Sequence, residues 1–141
     1  MRSYLIVANQ TLSSRSLAEA IGARLQEGPI AAYVVVPLVP MGGRLTWDED
    51  ASRTAARERL DDVLERLRGL GVDANGEVGD RDPVSAVRDA LRGRQVDEII
   101  VSTLPKGISR WLGEDVPSRL RDAVQAPVTV VTQTADEIAT V

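Results

Sequence analysis

The chain has no cysteine, no histidine and no phenylalanine among its 141 residues, and these absences remove more chemistry than any motif adds. Without Cys or His there is no thiolate nucleophile, no Ser-His-Asp triad, no disulfide and no zinc site of nitrogen and sulfur ligands. Nor is there an imidazole to titrate near neutral pH. Catalysis would have to run on carboxylates, Lys, Tyr, hydroxyls or backbone dipoles, so the composition favours a binding protein over an enzyme. Two Trp and two Tyr leave few rings on which single-stranded bases could stack. Charge of one predominant sign is also missing. The charged residues, 27% of the chain, mix both signs and sum to −4, which gives no general field to draw nucleic acid or an anionic membrane. No apolar run approaches the roughly 20 residues that cross a bilayer. The run entered at Met1-Arg2-Ser3-Tyr4 is too short for a signal peptide. These readings point to a cytoplasmic protein that partners neither nucleic acid nor membrane.

What is present suffices for one core: at 43% hydrophobic, residues 1–141 are expected to form a single domain with a weakly structured tail over 134–141. Tyr4-Leu5-Ile6-Val7-Ala8 is a short continuous apolar run that stops at Asn9-Gln10-Thr11, as a strand buried on both faces does. Leu17, Ala20, Ile21 and Leu25 then recur at helical spacing, with a capping-box pattern at Ser16 and Glu19 and a stop at Gly28-Pro29. Ala31 to Val36 reads as a second interior strand. Pro37 to Trp47 has no period and is a long loop. Ala56, Leu60, Val63, Leu64 and Leu67 mark the buried face of a long helix between about Asp48 and Leu70. Val72, Ala74, Gly76 and Val78 alternate with polar residues, which suits a strand at a sheet edge. Asp82-Pro83 is an N-cap followed by a first-turn proline, opening a helix that ends near Gly93. Val96 to Val101 forms a fourth strand, Val116, Leu120 and Val124 a fourth helix, and Pro127 to Val131 a fifth strand.

Alternating strands and helices predict an α/β three-layer sandwich with a five-stranded parallel doubly wound sheet in the order 3-2-1-4-5. Ligands of such sheets bind beyond the carboxyl ends of the strands where the order reverses, between strands one and four. That brings together the loops Asn9 to Ser14 and Ser102 to Gly113. Strand five would lie at an edge with several apolar side chains, and an uncovered edge invites pairing, so a homodimer through this strand is expected.

These loops resemble the universal stress protein family. The likeness runs over nearly the whole chain and includes Gly79-Asp80-Arg81-Asp82-Pro83, Val96-Asp97-Glu98-Ile99-Ile100-Val101-Ser102 and Ala126-Pro127-Val128-Thr129-Val130-Val131. The resemblance implies a dimeric domain that takes ATP or AMP in some members and no nucleotide in others, with no cofactor required. Its nucleotide loop, Gly-x2-Gly-x9-Gly-Ser/Thr after strand four, is matched only in part. Ser102 stands at the first glycine, Pro105 falls near the second and removes an amide donor, and Gly113 is followed by Glu114. Glu114 and Asp115 would complement the following helix dipole themselves and repel an incoming phosphate. Asn9 occupies the place of the family's aspartate. The resemblance makes Ala8, Asn9, the backbone near Val35, Ser102, Thr103, Gly107, Gly113 and Glu114 the candidate nucleotide- or anion-binding set. Lys106 and Arg110 add cations beside it. The implied function is a stress-response protein with a degenerate nucleotide loop, acting through protein association or weak binding of a small anion; the alternative is an ATP- or AMP-binding stress protein with slow or no hydrolysis. A phosphorelay receiver shares the sheet but needs carboxylates grouped around a magnesium ion, and strand one ends in Asn9-Gln10.

Overall fold

A computed structural model describes residues 1–8, 15–38, 49–103 and 116–132. Its elements follow in the order β1 (Arg2–Ala8), α1 (Arg15–Leu25), β2 (Ile30–Pro37), α2 (Glu49–Gly69), β3 (Asp73–Gly79), α3 (Pro83–Ala90), β4 (Glu98–Thr103), α4 (Val116–Ala123) and β5 (Val128–Thr132). The five strands are all parallel and lie in the order β3-β2-β1-β4-β5, as the sequence pattern predicts. The most apolar runs take the middle of the sheet, where both faces are covered: Leu5, Ile6, Val7 and Ala8 of β1 are fully buried, as are Ile99, Ile100 and Val101 of β4.

Alternation along the strands divides the core into two layers. Tyr4, Ile6, Ala32, Val34 and Ile100 pack against Leu17 and Ile21 of α1 and Ala56, Leu60 and Val63 of α2. Leu5, Val7, Val35, Ile99 and Val101 pack on the other side against Val84 and Val87 of α3 and Val116 and Leu120 of α4. The helices therefore cover both faces of one sheet. No helix among the described residues is long and apolar enough to cross a membrane.

Two local readings shift. Ser16 lies inside α1, already helical, so it does not serve as the N-cap of a box with Glu19. Val96 and Asp97 precede β4 because Asp97 is used to tie its entry to β1: the Ser3 amide donates to Asp97 Oδ2 at 2.7 Å, and the Asp97 amide donates to the Ser3 carbonyl at 2.7 Å.

Each sheet edge carries an arginine from the helix before it. The carbonyls of Pro127 and Gly79 point inward, accepting from Ile99 and Leu38, so by alternation those of Val128 and Ala74 point outward. Arg121 Nη2 donates to Val128 O at 3.3 Å. Arg68 donates from both Nε and Nη2 to Ala74 O, at 3.1 and 2.8 Å.

The two halves of the sheet are tied on the α1 face by a mostly buried ion pair. Arg24 of α1 meets Glu98 of β4 through two parallel bonds, Nε to Oε1 at 2.9 Å and Nη2 to Oε2 at 2.8 Å, and the Thr129 hydroxyl of β5 donates to the same carboxylate.

Candidate functional site

The carboxyl ends of β1 and β4 meet where the strand order reverses. Ala8 pairs with Ser102, and Ser102 and Thr103 pair on their other side with Val131 and Thr132 of β5. Strand alternation sends the Ser102 side chain to the α1 face, with Ile100, and that of Thr103 to the α3 and α4 face, with Val101. Both residues are fully buried, at 0% exposure, the only buried polar residues of the sheet among those described. Two hydroxyls at the end of a central strand, after an otherwise apolar run, make this end of β4 polar where the strand before it is not.

Val35 is also buried, but it sits within the ladder, paired with Val7 on one side and Glu77 on the other. The open end of β2 comes later: the Leu38 amide donates to Gly79 O at 3.3 Å. Gly79 lets α3 approach the sheet closely. A Cβ there would stand 2.7 Å from the Ala86 Cβ and 3.0 Å from Val35 Cγ1. Asn9, Lys106, Gly107, Arg110, Gly113 and Glu114 lie outside the described residues, so the site that the structure describes consists of Ala8, Val35, Ser102 and Thr103.

The rim of the same end is built by the start of α3. Asp82 is its N-cap, with Oδ2 accepting from the Ser85 amide at 3.2 Å and from the Ser85 hydroxyl at 2.9 Å. Its other oxygen accepts from Arg119 Nη2 of α4 at 3.0 Å, joining the two helices of that face. Burial works to raise the Asp82 pKa, but the Ser85 and Arg119 hydrogen bonds together outweigh it and hold the carboxyl below its ordinary value. An ionised, fully engaged carboxylate anchors the helix start and is a poor proton acceptor. The sequence announces the cap in Asp82-Pro83, but nothing local announces Arg119, which is 37 residues away. Beyond β3 the first turns of α2 and the strand end enclose a cleft of about 710 Å³ whose walls carry Arg53, Arg57, Glu58 and Glu77.

No family model and no curated protein matches the chain. Solved structures do. A universal stress protein from Archaeoglobus fulgidus superposes with a TM-score of 0.60 over 93% of this chain and 93% of its own, at 24% identity. The universal stress protein from the same organism in complex with dAMP gives a TM-score of 0.57 at 23% identity, covering 93% of this chain and 99% of that one. A universal stress protein family protein from Arabidopsis thaliana with AMP bound gives 0.57 at 14% identity, over 96% and 94%. The chain therefore has the fold of the universal stress proteins.

Proposed function

We propose that this chain is a cytoplasmic stress protein of the universal stress class that holds an adenine mononucleotide weakly at the strand-order reversal and acts by association rather than turnover. The observation that carries this reading is the pair of buried hydroxyls, Ser102 and Thr103, at the end of β4 beside Ala8. They stand where open α/β sheets take ligands. Structures of the same fold have been solved with AMP and with dAMP bound.

The sequence argues for a monophosphate over a triphosphate. Pro105 lacks an amide donor near the second glycine of the family loop, and Glu114 and Asp115, which follow the last glycine in the sequence, add negative charge that would oppose a longer phosphate chain. Lys106 and Arg110 supply cations enough for one phosphate. The Asp82 carboxylate at this end of the sheet is held ionised by Ser85 and Arg119 and so is poorly suited to act as the general base of a hydrolytic step. β5 supplies the association surface for a homodimer: Val128, Val130 and Val131 are half-buried on an edge strand.

Thermal shift and calorimetry with AMP and ATP, each with and without magnesium, test the ligand. AMP at a hundred times its Kd should add about 2.7 kcal/mol to stability. Tight, magnesium-dependent ATP binding would overturn the preference for a monophosphate, and no shift with any adenine nucleotide would remove the nucleotide altogether. Sedimentation equilibrium at tens of micromolar should give a dimer, and a monomer there sinks that part of the reading.

A further inference from the structure

At the opposite end of the strands, away from the proposed nucleotide site, the α-to-β connections enclose a groove of about 700 Å³ between the end of α3 and the end of α4. Its apolar lining includes Leu91, Val96, Val124 and Ala126, all half-buried and packed on the core layer beneath. Its charged lining is three arginines, Arg88, Arg92 and Arg94, against one aspartate, Asp97. The Asp97 carboxylate is already engaged by the Ser3 amide. Arg88 makes no hydrogen bond or ion pair among the described residues, and Arg92 has only a loose, exposed contact at 3.4 Å to Asp89. Such a concentration of positive charge departs from a chain whose net charge is −4.

The groove does not end at β4. Arg94, Gln95 and Val96 also line a second cavity of about 340 Å³, which continues under the first residues of β1, β2 and β3. Arg94 stands at the junction, its guanidinium 3.6 Å from the centre of the Tyr33 ring and Nη1 donating to the Ala90 carbonyl at 2.6 Å. The Tyr33 hydroxyl in turn donates to Glu77 at 2.8 Å, so the platform is held from both sides. The two cavities together run across the amino ends of all five strands. At about 4.8 Å per strand that is roughly 19 Å, the length of about six residues of extended chain.

We propose that this groove is a docking site for an extended acidic segment of a partner protein, about six residues long, with carboxylates on the arginine rim and apolar side chains against Leu91, Val96 and Ala126. Arginine forks match carboxylates geometrically, and the apolar floor takes the alternate side chains that an extended peptide turns the other way. Nucleic acid fits less well, because the lining offers only two rings for stacking: Tyr33, which Arg94 already covers, and Tyr4, which is buried. The proposal names a partner for the association half of the function proposed above and does not rest on the nucleotide half.

The test uses the full chain and a fluorescein-labelled peptide of alternating Glu and Val, followed by anisotropy with and without AMP. Controls are the same peptide with Lys in place of Glu, and a short mixed-sequence RNA. The Glu-Val peptide should bind, weaken as salt screens the rim, and bind about tenfold more weakly to R88E/R92E, a loss of about 1.4 kcal/mol. R88Q/R92Q serves in its place if the reversal disturbs folding. Backbone amide shifts on titration should centre on Leu91, Val96, Val124 and Ala126. Absence of binding at millimolar chain, equal binding of the Lys peptide, tighter binding of the RNA, or shifts confined to the carboxyl ends of the strands would each overturn the proposal. An AMP shift that survives any of these outcomes leaves the nucleotide reading standing.

Discussion

Replacing Glu98 with Gln isolates the ion pair that ties α1 to β4. The side chains of Arg24 and Glu98 are 20% and 16% exposed, so the pair lies between two limits. Breaking a fully buried pair costs about 3–5 kcal/mol, and an exposed pair contributes about 0–1 kcal/mol. For a bidentate, mostly buried pair we expect a loss of roughly 2 kcal/mol, which in a domain of this size lowers Tm by about 6–8 °C. The Arg24 hydrogen bonds dominate the environment of Glu98 and, with help from the Thr129 hydroxyl and against the effect of burial, hold its carboxyl below the ordinary value of 4.5. Because the folded-state pKa is the lower one, the contribution is fully present above that ordinary value and drains away as pH falls through the depressed one. The stability gap between the wild type and E98Q should therefore be full at neutral pH and shrink below about pH 4.5. Urea melts across that range, with R24M and the double variant completing a cycle, give the coupling directly. A gap that persists undiminished in acid, or single losses that add to within about 0.3 kcal/mol, would refute the pairing argument.

Gly76→Ala should destabilise by about 1–3 kcal/mol, because the new Cβ would collide with the Val34 carbonyl oxygen and stand 2.7 Å from Leu60 Cδ1, leaving β3 or α2 to shift; a Tm unchanged within error would show that this edge yields freely. Asp82→Ala removes the cap of α3 and the Arg119 contact, and should lower the urea midpoint by an amount equivalent to about 1–2 kcal/mol with no change in the m-value. Restoration of most of that loss by Asp82→Asn, which keeps the capping acceptor and drops the charge, would assign the effect to the cap rather than to Arg119.

The sequence was legible where one residue's environment is set by its neighbours in the chain. Continuous apolar runs revealed β1, β2 and β4, period-two alternation revealed β3 as an edge, and Asp82-Pro83 revealed the start of α3, because each pattern reports burial or capping directly. From these the strand order, and with it the position of Ser102 and Thr103, followed by topology alone. Partnerships across the sheet were not legible. Arg24 and Glu98 are 74 residues apart and Thr129 a further 31 beyond Glu98, and each reads singly as an ordinary surface residue. The amino-end groove escaped for a related reason: Arg88, Arg92 and Arg94 near the end of α3 look like the basic residues that suit any helix C-terminus. Only the return of α4 beside them makes a wall. Of the candidate nucleotide contacts, Ala8, Val35, Ser102 and Thr103 fall among the described residues, with Val35 inside the β2 ladder between Val7 and Glu77.

The arginines at the two margins of the sheet also bear on crowding and misassembly. An unsatisfied carbonyl at a strand margin is a template for another chain, and in the amino-terminal part of both outer strands that template already holds a guanidinium. Among the described residues no arginine bond falls further along β5, from Val130 to Thr132, so in the dimer proposed above the register of two copies would be biased toward the carboxyl half. Stacking of copy upon copy through β3 meets the doubly bonded Arg68 first. For the dimer proposed above, this asymmetry opposes open-ended growth into fibres.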